Sequence, residues 1–165
     1  MCIRDSSCPI DVHLMVQPVD DLIKMFADSG ATSITFHPEA SKDPAKSLEL
    51  IENLGCQPGL VLNPDISLNV LEPYLEDIYM VLLMSVFPGF GGQKFIPEVL
   101  DKVKNLRQQI DEKNLEVRLE IDGGVNSENI SDISSAGADT FVAGSAIFNN
   151  KNYSNAIKNL RDNFY

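Results

Sequence analysis

The chain has 165 residues, is 44% hydrophobic and carries a formal net charge of -11, which suits one domain with a buried core and argues against nucleic acid or an anionic membrane as partner. Cys2, Cys8 and Cys56 are too few and wrongly spaced for a disulfide framework or a cysteine zinc site. No stretch approaches the roughly 20 apolar residues of a membrane span or forms a signal peptide. A soluble, cytoplasmic chain with reduced thiols is expected, and any anionic ligand has to be held by local groups.

In chain order, short apolar runs alternate with amphipathic ones. Ile10 to Val16 predicts a strand, and Val19, Leu22, Ile23 and Phe26 recur at helical spacing up to a stop at Gly30. Thr32 to Phe36 is β-branched and aromatic, and Asp43-Pro44 then caps a helix carrying Leu48, Ile51 and Leu54. Gly59 to Leu62 predicts a short strand and Asp65 to Tyr74 a short helix. Ile78 to Ser85 is an unbroken apolar run, which reads as a strand covered on both faces. It ends in the loop Val86-Phe87-Pro88-Gly89-Phe90-Gly91-Gly92-Gln93, whose glycines can turn backbone N–H groups toward a phosphate. Ile96, Val99, Leu100, Val103, Leu106 and Ile110 mark the longest helix, and Leu115 to Ile121 the next strand. Asn126 is read as the cap of a helix bearing Ile130 and Ile133. Ala138 to Ala143 is the last strand, Gly144-Ser145 opens a turn, and Tyr153 to Phe164 form the terminal helix.

Six strand–helix units imply a parallel sheet with right-handed crossovers. Glycines follow three successive strands, at Gly91-Gly92, Gly123-Gly124 and Gly144. A doubly wound nucleotide fold concentrates them after its first strand, so a β/α barrel with a phosphate site in its last loops is the better match. A full barrel takes eight strands and typically about 250 residues. The expected fold is therefore an incomplete TIM (β/α)8 barrel.

The segments Asp11 to Val16, Thr35 to Ala40, Gly59 to Pro64, Met84 to Gln93, Glu120 to Val125 and Ala143 to Phe148 together resemble the ribulose-phosphate 3-epimerase family. The resemblance runs in family order from about Ser7. It implies that strands three to eight of the family barrel are present, and that a strand with a substrate-contacting Ser and one with a His-x-Asp pair are not. Residues 1–6 are expected to be an abnormal start and 7–165 a partial barrel, inactive on its own.

What else follows from the resemblance is an isomerase of the pentose phosphate pathway. It interconverts D-ribulose 5-phosphate and D-xylulose 5-phosphate by proton transfer through an enediolate, with a divalent metal (Zn, Fe, Mn or Co) polarising the carbonyl. His13 and Asp122 correspond to metal ligands, and Asp122 also to a catalytic acid/base. Taken alone, His13 reads as a hydrogen-bonded core histidine and Asp122 as a turn former; the resemblance reverses both. His37 corresponds to a family position that is not a ligand. Met15 and Met84 correspond to the floor of the sugar pocket. Gly89 lies in the loop that takes substrate, and Gly91, Gly92, Gly123, Gly124, Gly144 and Ser145 correspond to the phosphate cradle. Phe87 departs from the family's usual Asn, removing a polar group beside the substrate. An allulose 6-phosphate type of epimerase and a non-catalytic phosphate-binding chain are the alternatives, and the full-length form is expected to be a homo-oligomer.

Overall fold

The computed structural model describes residues 7–164, so the expected abnormal start at 1–6, with Cys2, lies outside the described residues. Cys8 is exposed and Cys56 is buried. Among the described residues no helix is long and apolar enough to cross a membrane.

The chain divides into two compact units, residues 7–62 with 69–82, and residues 63–68 with 83–164. In the first, β1 (Asp11–Leu14) pairs in parallel with β2 (Ser33–Phe36), and β2 with β3 (Gln57–Leu62). Every residue of β2 is buried, as is β3 after Gln57. The helices α1 (Asp20–Asp28) and α2 (Pro44–Asn53) follow β1 and β2. The expected cap of α2 is present: Asp43 accepts a hydrogen bond from the Lys46 backbone N–H at 3.3 Å, with Pro44 in the first turn. Gly30 ends α1 with φ 100, its N–H reaching Ala27 O while that of Ala31 reaches Phe26 O. This closure needs a left-handed residue. The longest helix ends the same way with an asparagine, Asn114 at φ 52, whose amide side chain makes that region tolerable.

In the second unit, α3 (Val99–Glu112) buries Val99, Val103, Leu106 and Ile110 along one face. There β5 (Arg118–Asp122) pairs in parallel with β6 (Thr140–Val142), Asp122 opposite Val142. Around them lie α4 (Ile130–Ser135), α5 (Ser145–Phe148) and α6 (Tyr153–Asp162). The strand β4 (Met80–Met84) is buried at every residue, as its unbroken apolar run requires. The sheet order is β1-β2-β3-β4-β5-β6, with β1 and β6 at its ends.

Several expected boundaries move. The helix expected from Asp65 to Tyr74 is a single 3-10 turn, Leu68–Leu71, followed by turns, because Pro73 has no N–H to continue it. Ile96 precedes α3 rather than opening it. Asn126 does not cap α4 directly; its side chain accepts from the Glu128 N–H at 2.8 Å and forms a turn three residues ahead of the helix. The turn expected at Gly144-Ser145 is the start of the short helix α5.

Candidate functional site

In the first unit, β1 alternates, with Val12 and Leu14 buried and His13 on the opposite face. Register sets His13 beside Thr35, and β2 ends one residue before His37. His37 keeps extended backbone (φ -74, ψ 129) and caps the 3-10 turn Pro38–Ala40. This brings the two imidazoles together, Nε2 to Nε2 at 3.1 Å, with ring centroids 5.1 Å apart and planes tilted by 45°. Both Nδ1 atoms are buried with no hydrogen-bond partner among the described residues. The carboxylate nearest His37 Nδ1 is Glu39 Oε1, 3.7 Å away. Burial, reinforced by the neighbouring imidazole, lowers the His13 pKa to about 4. Burial also lowers that of His37, against the pull of Glu39. Both rings are therefore neutral at pH 7. Met15, beyond β1, is 64% exposed.

In the second unit the chemistry is arranged around main chain. Ser85, fully buried after β4, donates its backbone N–H to Asp122 O at 2.7 Å, and its hydroxyl lies 2.6 Å from Gly123 O and 2.9 Å from Asp122 O. The peptide carrying the candidate acid/base is thereby clamped. Burial pushes the Asp122 carboxyl above its usual range, while a hydrogen bond from the Gly123 backbone pulls the other way. Gly124, at φ 67, lies so close to residues 93–95 that a Cβ would sit 2.4 Å from the Phe95 backbone N. Its carbonyl accepts from the side-chain amides of Asn126 and Asn129, at 3.1 and 3.0 Å.

The loop after β4 is tied by one side chain, Gln93, whose Nε2 donates to Phe87 O at 2.7 Å and Phe90 O at 2.9 Å. Phe87 thus contributes its carbonyl while its ring is half-exposed, and Phe90 is 75% exposed. Gly89, Gly91 and Gly92 stand in open space, as does Gly144. Pairing of Asp122 with Val142 sets residues 123–124 and 143–145 beyond the ends of neighbouring strands, with Ser145 opening α5. Met84 is buried. Lys102, on α3, points its ammonium at three carbonyls after β3: Asn63 O at 2.8 Å, Pro64 O at 3.4 Å and Ile66 O.

Sequence reasoning missed Ser85, Gln93, Lys102 and Asn129. Their signal is weak, since each holds main-chain oxygens whose positions depend on tertiary structure. Of the four metal ligands that the resemblance implies, His13 and Asp122 are the ones with counterparts in this chain. Among the described residues, no group of three or more His, Cys, Asp or Glu side chains is placed to hold a metal.

The pattern of the Ribulose-phosphate 3 epimerase family matches residues 2–148. The chain belongs to this family. A ribulose-phosphate 3-epimerase of Escherichia coli K12 is 52% identical over 155 residues, covering 94% of this chain and 69% of that protein. Ribulose-phosphate 3-epimerase 2 of Cupriavidus necator is 58% identical over 146 residues, covering 86% of the chain and 61% of that protein. Solved structures agree on the fold: KGPDC from Streptococcus mutans superposes with a TM-score of 0.72 at 19% identity, covering 96% of this chain and 72% of its own. An orotidine 5'-phosphate decarboxylase from Pyrococcus horikoshii superposes at 0.68 and 17% identity, covering 97% and 76%. The chain thus has the α/β fold with a parallel six-stranded sheet, and its family is one of epimerases.

Proposed function

We propose that this chain carries the phosphate-binding and one-face proton-transfer elements of an epimerase. The reaction interconverts D-ribulose 5-phosphate and D-xylulose 5-phosphate, and the six units correspond to units three to eight of a family barrel. The observation that carries this reading is the Asp122 carboxyl, desolvated at the end of β5, with its peptide clamped by Ser85 and followed at once by two glycines of positive φ.

Epimerisation next to a carbonyl removes a proton from one face of the carbon and returns one to the other. A carboxylate with a raised pKa is closer to the working pH and both takes and returns a proton more readily than an exposed aspartate. Asp122 takes this role on one face. The Gly123-Gly124 and Gly144-Ser145 backbones present N–H groups to the phosphate, which needs no Lys or Arg and so accords with the acidic composition. Met84 supplies adaptable apolar surface to the sugar. A divalent ion bound in a full family site would polarise the substrate carbonyl; no step above depends on it.

A second reading, binding of sugar phosphate without turnover, is favoured by the lack of a three-donor metal group among the described residues. Incubating the chain with ribulose 5-phosphate in D2O separates the two. Deuterium incorporation at C3 that Asp122→Asn lowers about 10²–10⁴-fold supports the acid/base role. Binding without incorporation supports the second reading, and neither binding nor incorporation removes both. Allulose 6-phosphate, run in parallel, sets the substrate class.

A further inference from the structure

We propose that a cleft in the second unit, between residues 126–127 and the helices α5 and α6, binds a neutral polyhydroxylated ligand, a saccharide or polyol. It does not depend on the epimerase reading.

The cleft encloses about 820 Å³, within the roughly 300–1,000 Å³ of small-molecule sites. Asn126, Asn149, Asn150, Asn152, Asn155 and Asn159 line it, six of the thirteen asparagines in the chain. That concentration gives the space one chemistry, because every carboxamide offers two N–H donors and a carbonyl acceptor. Among the described residues, no carboxylate lines the cleft and Lys151 is its one charged group. Leu160 is buried and Ala146 and Ala156 are half-buried, so apolar carbon lies beneath the amides.

Several of these amides are already oriented. Asn150 donates to Ala146 O at 2.7 Å and keeps its Oδ1 as an acceptor. Asn152 accepts from the Asn155 N–H at 3.0 Å, and Asn159 from the Asn163 amide at 3.3 Å, which leaves each its Nδ2 donors. Asn126 is held at both ends, by the Gly124 carbonyl and the Glu128 N–H. The lining thus presents donors and acceptors together, partly fixed before any ligand arrives, so less ordering opposes binding.

This mixture selects among ligands. A hydroxyl donates and accepts through one oxygen, so a row of hydroxyls satisfies carbonyl and N–H groups alike. A phosphate or carboxylate only accepts; the Asn150 carbonyl repels it, and one exposed ammonium is its counter-charge in a chain of net charge -11. A divalent cation finds amide oxygens without the carboxylates that usually hold it. The C–H faces of a sugar ring are apolar and suit Leu160, Ala146 and Ala156.

The experiment titrates the 15N-labelled chain with glucose, maltose and myo-inositol and follows the side-chain amide resonances. Those of Asn149 and Asn155 should shift and saturate, while that of Asn105, an exposed asparagine on α3, should not. Replacing Asn149→Ala and Asn155→Ala together should weaken binding about 4–100-fold, since each lost hydrogen bond is worth about 2–10-fold. Both residues are exposed, and alanine is the better helix former at Asn155 within α6. The wild-type titration decides the matter without the variant: saturation by none of the three probes overturns the proposal, as do shifts at Asn105 equal to those in the cleft, which mark general solvation. Glucose 6-phosphate binding at these amides at least tenfold more tightly than glucose also overturns it, making the cleft an anion site. The three probes carry no phosphate and the varied residues lie outside the glycine loops and Asp122, so failure here leaves the epimerase reading standing, and failure of that reading leaves this one.

Discussion

Around the candidate residues, the two units use their polar side chains differently. In the first, side chains meet side chains: His13 meets His37, Ser33 donates to Asp11 at 2.6 Å, and Ser47 donates to Asp20 at 2.6 Å. In the second, side chains hold main-chain carbonyls, through Ser85, Gln93, Lys102, Asn126 and Asn129. A site of the first kind offers imidazole and carboxyl groups that can ligate or titrate. One of the second kind fixes peptide planes, and fixed peptides are what an anion needs, since their N–H groups then point without reorganisation.

The sharpest way to break this contrast is at Gly124. Alanine there meets a backbone nitrogen at 2.4 Å and must hold φ 67, so overpacking and left-handed strain together cost about 2–5 kcal/mol. Urea unfolding should show that loss, and isothermal titration with inorganic phosphate should show binding abolished. An unchanged midpoint would mean that the peptide is not fixed.

The first unit should respond to pH instead. Folding depresses the His13 pKa to about 4 from an ordinary 6.5, so between these values the unfolded chain binds more protons and stability rises with pH. The contribution is complete above pH 6.5 and is lost as pH falls through about 4, and it amounts to up to about 3 kcal/mol. His13→Asn should flatten the slope in unfolding free energy measured from pH 4 to 7. Asp122, whose pKa is raised, acts with the opposite sign: its contribution declines as pH rises from the ordinary aspartate value through the folded one, and Asp122→Asn should remove that decline.

Smaller effects follow. Ser85→Ala deprives the buried Gly123 carbonyl of its hydroxyl donor and should cost about 1–3 kcal/mol in denaturant unfolding, with a weaker phosphate affinity as peptide 122–123 loosens. Gly91→Ala, in open space, should change stability by less than about 0.5 kcal/mol while lowering phosphate affinity. Equal stability losses at Gly91 and Gly124 would erase the distinction between an open loop and a packed one.

The strands were legible because their apolar runs are short and bounded, and because β4 admits no polar residue at all. Helix starts were less so. Asn126 has the right chemistry for a cap, but its side chain serves a turn and α4 begins only at Ile130. Asp122 and the glycines stand out in the sequence through their neighbours. The meeting of His13 with His37 was not, since it depends on strand register across 24 positions, and Lys102 reaches its carbonyls across nearly 40. Sequence periodicity says which face a residue takes, not which distant oxygen lies opposite.

Lys102 invites a last reading in the language of ion coordination. Three carbonyl oxygens converging on one ammonium make a small cage for a monovalent cation that happens to be tethered to α3. Burial lowers its pKa, against the pull of the Asp65 charge. Cutting the tether with Lys102→Ala should leave the cage selective for free ammonium or potassium over the bulkier tetramethylammonium. The variant's unfolding midpoint should then depend on which chloride salt is present, whereas the wild type's should not.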